Sequence, residues 1–147
     1  MKKTIIAFVA ATFAQGAIAQ PPDLQAWTRI APAIQAALEC RAEPNLKDPD
    51  IEQLLSFDGD ITEKAAPAGF TVFGMPVEHI TLVQGEDDDE RPALSATSLF
   101  AKASLADVSK AAKLGTKDHT RQAPAGTLMA SMGTGNKAQI SCSFAAK

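Results

Sequence analysis

Residues 70–84, FTVFGMPVEHITLVQ, form the longest run in the chain dense in β-branched and aromatic residues. Such residues fit a pleated, half-buried surface. The run predicts the central strand of an antiparallel sheet, bent or interrupted at Gly74-Met75-Pro76. Its second half alternates. Val77, His79, Thr81 and Val83 take one face, and Glu78, Ile80, Leu82 and Gln84 take the other. Neither set is polar throughout, so the strand is expected to be at least partly covered on both sides.

Working outward, the run is followed by Gly85, then Glu86-Asp87-Asp88-Asp89-Glu90, then Arg91-Pro92. No core can hold such a segment, so it predicts a solvated loop. Residues 93–102 return as a strand, with Leu94, Ala96, Ser98 and Phe100 on one face. The acidic loop is therefore the connection of a hairpin. Downstream, Ser104-Leu105-Ala106-Asp107 resembles a capping box with aspartate in place of glutamate. It opens a helix expected to reach Leu114 and to stop at Gly115. Residues 116–125 read as a polar loop. Residues 126–132 and 137–144 read as a last hairpin around Gly133-Thr134-Gly135-Asn136.

Upstream, Asp23 can cap a short helix carrying Leu24, Trp27 and Ile30. Pro32 predicts a break there and the first turn of a second helix, whose apolar face holds Ile34, Ala37 and Leu38. Cys40 lies near the border of that face. Asp48-Pro49 opens a further short helix with Ile51, Leu54 and Leu55, stopped by Asp58-Gly59. Residues 62–69 read as a connector. No internal repeat is evident. The expected fold is α+β: an antiparallel sheet of about four or five strands in two hairpins, helices on one face, and a single disulfide. Ile34, Leu38, Phe73, Leu82, Phe100, Val108 and Ile140 are its expected core.

The N-terminus places this fold in a compartment. Lys2 and Lys3 precede an apolar segment over residues 4–13, and Ala17-Ile18-Ala19 is a small-x-small cleavage signal. These are the three regions of a secretory signal peptide, residues 1–19, and they imply a periplasmic or secreted product. Residues 20–147 are then a single α+β domain, large enough to bury a core. No cysteine stands at the cut for a lipid anchor. No later stretch reaches the ~18 apolar residues of a membrane helix. Two cysteines in an exported chain predict one disulfide, Cys40–Cys142.

Charge and motifs bound the function. The chain has 14 Lys and Arg against 17 Asp and Glu, and loss of Lys2 and Lys3 makes it more acidic. That balance argues against nucleic acid and anionic membrane surfaces, and it fits a basic protein partner. His79 and His119 are the only histidines. Neither is accompanied by a nucleophile or an orienting group at a recognised spacing. There is no metal-ligand spacing, phosphate loop or Gly-x-Ser-x-Gly elbow, so no cofactor or metal is expected. Ser109 and Lys113 are four apart, not the three of the Ser-x-x-Lys enzymes. The acids of residues 86–90 lack the spaced pattern of a calcium loop. The reading is an exported non-enzymatic binding protein, such as an inhibitor or immunity protein, with Glu86, Asp87, Asp88, Asp89 and Glu90 as partner-binding residues. The alternatives are an envelope accessory or small-ligand module with a cleft between helices and sheet, and an enzyme of unrecognised type.

Overall fold

The computed structural model describes residues 24–55, 61–86 and 92–145. The signal-peptide reading, Asp58-Gly59, and Asp87, Asp88, Asp89 and Glu90 lie outside the described residues. The chain opens with α1, Leu24–Leu38, a single helix that runs through Pro32. The expected break does not occur, for two reasons. Trp27, Ile30, Ile34, Ala37 and Leu38 form one continuous buried stripe, whose burial outweighs the local cost of proline. Pro32 and Thr28 are both exposed, so water can reach the carbonyl that loses its donor.

The end of α1 explains how Cys40 turns inward. The Arg41 amide donates to the Ala36 carbonyl and the Cys40 amide to that of Ala37, while Cys40 itself is left-handed at φ 59°. This is a Schellman cap with cysteine where glycine is usual. The next helix, α2, is Pro49–Leu55. It starts as its sequence predicts, with the Asp48 carboxylate accepting from the Asp50 amide at 2.9 Å and Pro49 in the first turn.

Eight strands follow among the described residues. They are β1 (Ile61–Ala65), β2 (Thr71–Val72), β3 (Met75–Pro76), β4 (His79–Glu86), β5 (Pro92–Leu99), β6 (Thr120–Ala123), β7 (Gly126–Met132) and β8 (Ala138–Phe144). Six of them form one antiparallel sheet in the order β1-β4-β5-β8-β7-β6, and β2 and β3 form a separate two-stranded hairpin. The α+β antiparallel class is as expected; the main sheet is larger than expected by its two edges. β1 reads in sequence as a connector and β6 as part of a polar loop, because ITEKA and TRQA lack an apolar face. Short, polar edge strands are what an open sheet tolerates at its margins.

Residues 70–84 also divide differently. Phe73 and Gly74, at φ 51° and 75°, make the two-residue turn between β2 and β3. β4 begins after it and lies second in the sheet, with β5 and β8 at the centre. The alternation within β4 is nevertheless the expected one. Ile80 and Leu82 are buried, and His79, Thr81 and Val83 are half-buried.

Register aligns the inward residues in rows. Leu82, Ala96, Cys142 and Leu128 lie abreast, as do Ile80, Ser98, Ile140 and Ala130. α1 packs over β5 and β8. The last helix, α3 (Leu105–Ala111), packs over β7 and β8. Its start is the predicted capping box, with Ser104 and Asp107 bonded reciprocally. It ends earlier than Gly115 suggests, because Lys113 adopts the left-handed cap conformation at φ 56°. Of the expected core, Ile34, Leu38, Leu82, Phe100, Val108 and Ile140 are fully buried, whereas Phe73 is only partly so. Phe73 sits in the turn, which carries it to the margin.

Cys40 and Cys142 are joined, with Cα atoms 5.3 Å apart and no exposure of either residue. The bridge fastens the end of α1 to the inner face of β8, across 102 residues of chain. The Ala125 amide donates to the Cys40 carbonyl, tying the β6–β7 turn to the same point.

Candidate functional site

The hairpin of β4 and β5 carries the acidic run. The two strands pair through eight residues, from His79 with Leu99 to Glu86 with Pro92. That last pair closes the ladder, so Glu86 ends β4 and the following acids belong to the connection. β4 is braced by β1 on one side, and β5 by β8 on the other. Residues 87–91 therefore connect two strands inside a six-stranded sheet.

The opposite end of β4 is chemically different. There the Lys137 ammonium donates to the Glu78 carboxylate and holds its carboxyl below the usual carboxylate range. Nearby, the 66–71 segment is fixed by backbone bonds. Ala66 donates to the Glu78 carbonyl, Phe70 to that of Pro67, and Val77 to that of Phe70. One side chain of α1 and one just past its end tie the β2–β3 hairpin to the helix. The Gln35 amide donates to the Thr71 carbonyl at 3.1 Å, and the Glu39 carboxylate accepts from the Phe73 amide at 3.0 Å. Trp27 and Phe70 meet with ring centroids 5.7 Å apart and planes at 53°. Between α1 and this segment runs an open groove of about 410 Å³.

The histidines are placed apart. His79 faces outward from β4, with its Nδ1 3.5 Å from a Glu63 carboxylate oxygen on β1; both side chains are substantially exposed. His119 Nδ1 is 2.9 Å from the Ser109 hydroxyl. The Ser109 residue is buried, and the neighbouring Asp118 carboxylate turns to the Thr120 amide and not to the imidazole. The pair thus has a hydroxyl and a ring, while the adjacent Asp118 carboxylate accepts from the Thr120 amide. It connects α3 to the residue before β6. Among the described residues no group of three or more His, Cys, Asp and Glu could hold a metal ion. No helix among them is long and apolar enough to cross a membrane.

Comparison with protein-family models, with curated proteins and with solved structures returns no match. The cysteines predicted from sequence are brought together. Glu86 is placed at the end of β4, and the other four acids lie outside the described residues. Sequence reading did not find the groove. The signal for it was the uncharged row Leu24, Thr28, Ala31, Pro32 and Gln35 on α1, exposed or half-buried, in a chain where 21% of residues are charged.

Proposed function

We propose that this chain is an exported binding protein, acting as an inhibitor or immunity protein, that takes a basic protein partner at the tip of the β4–β5 hairpin. The observation that carries the proposal is the register of that hairpin. Eight paired residues per strand end at Glu86 and Pro92, so four further carboxylates follow Glu86 in the connection. Concentrated negative charge steers a basic protein into encounter, and its effect falls with salt. Affinity then has to come from neighbouring apolar contact, since carboxylates alone make no packed interface centre.

A periplasmic or extracellular location is part of the proposal. The buried Cys40–Cys142 bridge supports it, because disulfides persist where the surroundings are oxidising. The test is capture from envelope extract on immobilised mature protein at low salt. A basic protein should be retained and then released as salt rises. Retention of the same proteins by a variant with residues 86–90 neutralised would refute the assignment of this loop.

A further inference from the structure

The groove between α1 and the 67–71 segment stands apart from Glu86, where the acidic run begins. It lies at the His79 end of β4, and Glu86 closes the other end, about 23 Å away at ~3.3 Å per residue. One wall is α1 from Leu24 to Gln35, twelve residues and about 16 Å of helix axis. The other wall is the segment from Pro67 to Thr71. Trp27 and Phe70, in contact with each other, form its floor.

Three properties define what this groove can hold. Its volume, about 410 Å³, lies within the ~300–1,000 Å³ of small-molecule sites. No lining residue is charged. A charged ligand would lose hydration there without gaining a counter-charge. Polar capacity is nevertheless present and unused. The Gln35 carboxamide gives one N–H to the Thr71 carbonyl, which leaves its oxygen and second N–H without a partner among the described residues. The Thr28 hydroxyl donates to the Leu24 carbonyl at 2.7 Å and keeps its lone pairs. Leu24, at the rim, is 61% exposed, an apolar side chain that an occupant would cover.

We infer that this groove is a binding site for an uncharged, elongated, mainly apolar small molecule that carries one hydrogen-bonding group. The apolar body lies along α1 over Trp27 and Phe70, and the polar group meets the Gln35 amide. The wall needs little rearrangement to receive it, because Gln35 and the backbone bonds of residues 66–77 already hold it. The site is independent of the acidic loop and of any protein partner.

The chain has one tryptophan and no tyrosine, so its near-ultraviolet emission reports Trp27 alone. Mature protein is titrated with 1-decanol, with decanoate and with decylammonium, which share a tail and differ in head charge. The alcohol should shift the Trp27 emission saturably. Both ions should bind at least about tenfold more weakly, since desolvation penalises either sign. The acidity of the protein as a whole would instead separate the two ions in opposite directions. Ala31→Glu, placing a charge in the groove, should abolish the alcohol response while the circular-dichroism melt stays in place. If that variant does not fold, Thr28→Lys at an exposed rim position carries the same test. Neutralising residues 86–90 should leave the titration unchanged. An emission that does not saturate, equal affinity for all three heads, or an unaltered response in the charged variants would overturn the assignment.

Discussion

Cys40 shows how one residue can serve two constraints. A left-handed conformation costs a non-glycine residue ~1–2 kcal/mol, yet it is this conformation that turns the chain at the end of α1 and brings the sulfur to β8. The bridge closes a loop of roughly a hundred residues, for which the chain-entropy model gives ~4–5 kcal/mol. Cys142→Ser is therefore expected to lower the unfolding free energy by ~2–5 kcal/mol in urea titrations. A loss under about half a kcal/mol would mean that the bridge constrains little in the unfolded chain. Glu78 gives the pH counterpart. The hydrogen bond from Lys137 lowers its folded carboxyl below the ordinary value of 4.5. Its contribution to stability is thus complete above that value and is lost as pH falls through the lower folded one. Glu78→Gln should flatten the stability–pH curve from about 4.5 downward and leave its slope near neutrality alone. An unchanged acid limb in thermal melts from pH 6 to pH 3 would show that the pair is not formed in solution.

At the scale of elements, α1 is where packing overrode a strong local signal. Proline in a helix interior costs ~3 kcal/mol, and the buried stripe from Trp27 to Leu38 absorbs it. Pro32→Ala should accordingly raise stability, by up to about 3 kcal/mol, with the helix boundaries intact by amide exchange. Destabilisation would mean that the proline ring makes necessary contacts along the groove. The same contest explains what the sequence disclosed. β4, β5, β7 and β8 carry apolar alternation and could be read directly. β1 and β6 could not, because edge strands pair on one side only and need no apolar face. The start of α3 was legible in Ser104 and Asp107, but its end was not. A left-handed lysine at position 113 took the role that Gly115 suggested.

At the scale of the whole molecule, two unlike features lie toward opposite ends of β4: Glu86, where the acidic run of the sequence begins, and an uncharged groove. The first was visible in sequence because its charges are contiguous. The second is assembled from residues 24–35 and 67–71, which only folding brings together. The central claim concerns the tip, and each exposed carboxylate there is worth little alone, so the five must be tested jointly. Replacing Glu86, Asp87, Asp88, Asp89 and Glu90 by Ser and Asn should leave the melting transition almost unchanged. The decisive measurement is the stopped-flow association rate of wild type and neutral-loop variant with the partner captured from envelope extract, at low and at high salt. Wild type should associate at least about tenfold faster at low salt, with the advantage collapsing as salt rises. Equal association rates for the two proteins at low salt would contradict the account and reduce the acidic run to a turn that keeps the hairpin in water.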